Sequence, residues 1–182
     1  IPAATRASSL SPPRLIRQNS VDQPFIEDVL RKISASYATA SENIKKALNE
    51  VIECMVVAQR VNFGKVMFVK PKFPEILSAV IKAAGSQSDN DLRTSSFRLL
   101  SVMMRAFPDP DSFENKLKDL VEAISNGIDA ANLQVKSEAL YAAGAVAPCI
   151  NVDLFSNAKY VSTIFNKVRR TLDVKDADAG VK

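Results

Sequence analysis

DAANLQVKSEALYAAGAVAPCI, running from Asp129 to Ile150, is the stretch that decides the fold. A short polar link opens it, and its apolar positions are then Val135, Ala139, Ala142, Ala143 and Val146. That i, i+4, i+7, i+8, i+11 spacing places all five on one face of an α-helix. The first apolar residue is followed at once by a basic one, Lys136. Forty-three residues earlier the chain says nearly the same thing with Leu92, Arg93, Ser96, Leu99, Leu100 and Met103. An echo at a fixed period points to repetition, so the stretch is read as one copy of a repeat.

The rest of the chain supplies the other copies. Residues 1–24 carry prolines, serines and Arg6, Arg14 and Arg17 without a sustained apolar period, and read as a linker or flexible arm. Phe25 to Tyr37 is expected to be helical with Val29 and Ile33 inward. A capping box at Thr39-Ala40-Ser41-Glu42 starts the next helix, Ser41 to about Val61, with Ile44, Ala47, Leu48, Val51, Ile52 and Met55 on one face. Residues 62–73 read as an inter-repeat connection, since a strand over Lys65–Lys70 has no evident partner. Pro74 opens a helix that Gly85 is placed to cap. Helices follow from Asp91 to Phe107, from Asp111 or Ser112 to Ile128, and from Asn157 to Leu172, with Pro148 ending the run quoted above.

Laid over one another, these helices fall into register. Val29, Leu77, Leu120 and Ile164 correspond in the first helix of each pair, and Ile33, Ile81, Ile124 and Val168 one turn later. The successive steps are 48, 43 and 44 residues. In the second helix Ile44, Leu92, Val135 and Val181 correspond, each followed by a base: Lys45, Arg93, Lys136 and Lys182. A period of this length with two helices per unit belongs to the helical-solenoid class.

The segments SDNDLRTSSFRLL, DAANLQVKSEALYAAG and DADAGVK resemble HEAT repeats, of the armadillo-like group, across residues 25–182. The resemblance implies an all-α, right-handed solenoid of about three and a half helix pairs, over 25–61, 74–107, 112–150 and a shorter 157–182. It also implies a ladder of turn acids and helix-start bases, for which Asp89, Asp129 and Asp176 stand at unequal distances from Arg93, Lys136 and Lys182. Tryptophan is absent, which departs from the tubulin-binding members of the class. The chain starts at Ile1 and stops at Gly-Val-Lys, where another second helix is due, so it is expected to be an excerpt of a larger protein or assembly subunit.

Composition narrows the chemistry. The chain is 47% hydrophobic and 24% charged with a net charge of +4, ordinary values for a globular protein. No histidine is present, which removes Ser-His and Cys-His nucleophile activation and histidine metal sites. The five glycines are scattered, so no phosphate-binding loop forms, and no cofactor is expected. Carboxylate pairs such as Asp109/Asp111 and Asp176/Asp178 read as caps and solvated corners. Cys54 and Cys149 sit in apolar helical runs and read as reduced core thiols, a disulfide between them having no support in their spacing. No apolar run approaches membrane-spanning length. The expectation is a non-enzyme of the cytoplasm or nucleus. The basic, Ser-rich start leaves organellar import open.

Binding remains. Second helices of a solenoid commonly line its concave surface, which makes Lys45, Asn49, Glu53, Arg93, Arg98, Lys136 and Tyr141 the candidate contacts for a protein partner or the rest of a larger chain. The resemblance implies a scaffold, as in transport receptors, cytoskeletal regulators, chromosome-organising subunits and translation or degradation scaffolds. A second reading is a nucleic-acid-contacting solenoid using Lys65, Lys70, Lys72, Lys167, Arg169 and Arg170. A third is a helical accessory subunit of an organellar complex. Ser20 is a phosphorylation candidate, with Arg17 three residues before it.

Overall fold

The computed structural model describes residues 23–69, 71–86, 89–151 and 157–173. Every regular element among them is helical. The helices are α1 (Gln23–Tyr37), α2 (Glu42–Ala58), α3 (Arg60–Gly64), α4 (Pro74–Gly85), α5 (Asn90–Ala106), α6 (Pro110–Phe113), α7 (Leu117–Ile128), α8 (Leu133–Val146) and α9 (Ala158–Asp173). A π-helical turn at Lys65–Val69 and 3-10 turns at Glu114–Lys116 and Ala147–Cys149 complete them.

Local chemistry starts the second helices at the same relative position. Ser41, Asp89 and Asn132 are the N-caps of α2, α5 and α8, 48 and then 43 residues apart. The Asp89 carboxylate accepts from the amides of Asp91 and Leu92 at 2.7 and 3.0 Å. The Asn132 side chain accepts from Gln134 and Val135, both at 3.0 Å. Each cap satisfies amides that the first helical turn leaves unbonded, and its loss costs about 1 kcal/mol. Ser41, rather than Thr39, performs this role at α2.

Packing follows the same period. α1 lies against α2, α4 against α5 and α7 against α8. Along one layer α4 touches α1 and α7, and α7 carries α9, while along the other α5 touches both α2 and α8. The central α5 is covered on both flanks, so it buries Phe97, Leu99, Leu100, Met103 and Met104 completely and takes Arg93, Ser96 and Ser101 with them. In α8 the expected stripe holds: Val135, Ala139, Ala142, Ala143 and Val146 are all buried.

Three expectations are corrected. In α2 the buried residues are Asn49, Ile52 and Val56, whereas Ile44 and Val51 are exposed, because α5 covers only one flank of a helix that is apolar well beyond one face. Residues 60–69 are helical rather than an irregular link, and Phe63, Val66 and Met67 are buried there. The helix expected from Asp111 is broken, with α6 and a 3-10 turn before α7. The breaks serve an aromatic cluster, in which Phe68 lies 4.9 Å from Phe107 and 5.3 Å from Phe113, and Phe63 stacks on Phe107 at 5.9 Å. Phe107 leaves no room for a side chain at position 64, since a Cβ there would stand 2.5 Å from its ring.

The glycines separate by environment. Gly85 ends α4 without a positive φ, so the expected left-handed cap is not used. Gly144 has nothing within 4 Å of a Cβ built on it. Gly144→Ala is therefore expected to stabilise the isolated chain by about 0.5–1 kcal/mol through helix propensity. A rise of about 1–4 °C in the thermal midpoint is the readout, and a fall contradicts the open placement.

Candidate functional site

The second-layer helices α2, α5 and α8 present a polar surface with a shallow groove of about 230 Å3 across it. Glu53 of α2 pairs with Arg98 of α5 at 3.1 Å, and Lys46 pairs with Asp91 at 3.5 Å. Glu50, Ser95, Gln134 and Glu138 line the same groove. The acids outnumber the bases, and the pairs are partly exposed, so each adds little stability while fixing where charge stands on the face.

Of the candidate contacts, Glu53 and Arg98 meet in this groove as one ion pair. Tyr141 is 57% exposed, while Lys45 and Lys136 are half-buried. Asn49 and Arg93 do not belong to an exposed face. Asn49 is 1% exposed, and its side chain accepts from Tyr37 Oη at 2.8 Å and donates to the Ser95 and Ser96 hydroxyls, both at 3.1 Å. Both N–H donors of the amide and its oxygen are engaged, so Asn49 is a structural tie between α1, α2 and α5. Burial pushes the Tyr37 phenol up to about 12, against the smaller opposing effect of its hydrogen bonds to Ser96 and Asn49.

Arg93 is 4% exposed; its Nε donates to the Ala84 carbonyl at 3.3 Å and one terminal nitrogen is buried without a partner. Burial lowers its pKa. Among the described residues no ladder joins Asp89 and Asp129 to Arg93 and Lys136. Asp89 caps its own helix and Asp129 pairs with Lys167.

Of the six candidate bases, the five among the described residues are divided. Lys65 lies in the π-helical turn beside α1 and α3, and Lys72 is paired with Glu27 of α1 at 2.7 Å. Lys167, Arg169 and Arg170 lie on α9, with α4 and α7 between the two groups along the layer. Lys70, Ser20, Asp176, Val181 and Lys182 lie outside the described residues. A second, mostly apolar groove of about 560 Å3 runs between Val61, Phe68 and Val69 on one side and Phe107 and Pro108 on the other.

Among the described residues no three His, Cys, Asp or Glu side chains come together as a metal site, and no helix is long and apolar enough to cross a membrane. The two cysteines are free and differ sharply. Cys54 is exposed, contrary to the expected core thiol. Cys149 is buried with its sulfur near the carbonyls of Ala145, Met104 and Phe107 at 3.7, 3.8 and 4.0 Å. Desolvation, aided by the Asp109 charge, pushes the Cys149 thiol up to about 11. At neutral pH a maleimide is expected to label Cys54 while Cys149 reacts only after unfolding, as peptide mass spectrometry reads. Equal labelling of both contradicts this burial.

The groove residues Glu50, Gln134 and Glu138 escaped the sequence reading. Their signal was available only in part: Glu50 and Glu138 lie three residues from the candidates Glu53 and Tyr141, and Gln134 two from Lys136, but which helices stand side by side is a tertiary fact. No protein-family model, curated protein or solved structure gives a significant match to this chain.

Proposed function

We propose that the chain is a HEAT-type, right-handed helical solenoid serving as a non-catalytic protein-interaction scaffold. The observation that carries the repeat reading is the separation of side-chain bonds between units. Lys72–Glu27, Arg98–Glu53 and Lys46–Asp91 each join residues 45 apart, Asn49–Ser96 47 apart and Asn157–Glu114 43 apart. A stack of equivalent helix pairs brings residues one period apart into contact in this way. The common N-cap positions support the same reading.

The scaffold role is supported by the character of the second-layer face. It is polar, shallow and fixed by ion pairs between helices, with Tyr141 exposed. Exposed aromatic and arginine side chains are favoured anchors in protein interfaces. The partner is a protein or another part of a larger assembly.

The test is affinity capture with the 182-residue chain and with an Arg98→Glu, Tyr141→Ala variant of unchanged melting temperature. The expected result is a stoichiometric protein partner held by the first and lost by the second. Identical recovery with both sinks the assignment of this face. With the bases divided between two ends, no retardation of single- or double-stranded DNA or RNA is expected at about 50 mM salt. A shift that fades as salt rises would favour the nucleic-acid reading instead.

A further inference from the structure

The polar groove across α2, α5 and α8 is ordered in rows. Lys46, Glu50 and Glu53 of α2 stand along it at i, i+4 and i+7, as do Asp91, Ser95 and Arg98 of α5. Lys46–Asp91 and Glu53–Arg98 each join residues 45 apart. Glu50 and Ser95 have the same separation and lie between those two pairs, which sets them opposite each other. Glu138 of α8 follows Ser95 by 43 residues, one period of the chain, and lines the same groove.

The rows differ in charge balance. The outer two are neutral: Lys46 and Asp91 with Gln134 beyond them, and Glu53 and Arg98 with Tyr141. The middle row is Glu50, Ser95 and Glu138. Among the described residues neither glutamate has an ion pair or a hydrogen bond. Ser95 offers them nothing, since its hydroxyl accepts from Asn49 and donates to the Leu92 carbonyl. Two uncompensated carboxylates therefore flank the middle of the groove, in a chain whose net charge is +4. A cleft with an excess of one sign concentrates groups of the other.

The surroundings of that row suit a cation on a peptide. Tyr141 is 57% exposed one turn beyond Glu138, and an aromatic face attracts guanidinium groups in particular. Arg98 engages Glu53 through Nε and Nη2 and keeps its other N–H groups for acceptors such as main-chain carbonyls.

Spacing selects the form of the ligand. Packed helices stand about 8–10 Å apart, so Glu50 and Glu138 face each other across two such steps with α5 between them. Successive side chains of an extended backbone point to opposite sides. A backbone laid along α5 sends two adjacent basic side chains to the two glutamates, whereas bases separated by one position both point to one side.

We propose that the groove takes an extended segment of a partner protein carrying two adjacent basic residues, arginines above all, one held by Glu50 and the other by Glu138. This rests on the scaffold reading of the same face and names the chemistry of its partner.

The test titrates two fluorescein-labelled peptides of one composition, GQARRAQG and GQRARAQG, with the 182-residue chain at about 50 mM salt, reading anisotropy. The adjacent pair is expected to bind with a Kd below about 1 mM, the weak end of specific association, and about fivefold more tightly than the spaced pair. Glu50→Gln with Glu138→Gln lowers its affinity about tenfold, as the loss of two partly exposed ion pairs does. Asp119→Asn with Glu122→Gln removes the same charge from α7 and leaves binding unchanged. No binding of either peptide overturns the proposal. Equal binding of the two peptides, or equal loss with both double variants, reduces the effect to general charge attraction and overturns it too. An Arg14→Gln, Arg17→Gln chain that binds GQARRAQG severalfold more tightly than the parent assigns the groove to residues 1–22 and overturns it in favour of an intramolecular occupant. A captured protein lost with Arg98→Glu, Tyr141→Ala but kept by Glu50→Gln, Glu138→Gln overturns the basic segment while the scaffold face stands.

Discussion

Ala143→Glu is expected to abolish the cooperative folding of the unit built on α7 and α8. Ala143 is 4% exposed and belongs to the apolar core with Val135, Ala139 and Val146. A carboxylate placed there either stays ionised without a partner, at several kcal/mol, or takes up a proton far above its ordinary pKa. The longer side chain also overpacks a site that holds a methyl group, adding about 1–3 kcal/mol. Together these approach the whole stability of a typical domain, about 5–15 kcal/mol. Circular dichroism should show lost helix and a broadened or missing transition at neutral pH. Ser137→Glu, on the exposed side of the same helix, should melt like the parent. Unchanged melting of Ala143→Glu would sink the placement of α8 against its neighbours.

Gly127→Ala is the second large effect, from the smallest available substitution. A Cβ at this position would stand 2.5 Å from Phe97 Cζ and 2.6 Å from Ala139 Cβ. Ala139 has no rotamer with which to yield, and Phe97 is completely buried, so α5, α7 and α8 must separate locally. The expected cost is about 3 kcal/mol, the upper part of the overpacking range. That corresponds to a fall of about 6–12 °C in melting temperature for a chain of this size. Ala replaces Gly with higher helix propensity, so propensity alone predicts the opposite sign. A rise in melting temperature for Gly127→Ala would mean that the three helices are not in this contact.

These two glycines in one protein, Gly127 and Gly144, show where reading the sequence runs out. Both sit in helical runs of similar composition, yet one is enclosed by Phe97 and Ala139 and the other faces open space. Nothing within a few residues of either distinguishes them. The α8 stripe was legible because Val135, Ala139, Ala142, Ala143 and Val146 recur at helical spacing, even though Leu133 and Tyr141 are exposed on its outer side. The α2 face was misread because apolar residues cover more than one side, and because its buried polar residue, Asn49, owes its place to Tyr37, Ser95 and Ser96 on other helices. Arg93 was read as a surface base from its place beside Leu92. It is buried because α5 is covered on two flanks, a matter of neighbours rather than of local pattern. Of the candidate site, Glu53, Arg98 and Tyr141 were legible as outward positions on second helices. The pairing of Glu53 with Arg98 and the contributions of Glu50 and Glu138 depend on which helices lie side by side.

By itself the sequence determined the helical class and the approximate helix starts, because apolar spacing and capping rest on interactions spanning four residues or fewer, while the structure placed the N-caps at Ser41 rather than Thr39, at Asp89 and at Asn132. Tertiary structure alone decided which flank of each helix is covered. α5 and α7 bury their apolar residues, whereas Ile44 and Val51 of α2 and Val161 and Phe165 of α9 are exposed, since burial requires a neighbour and none of the described residues covers those flanks.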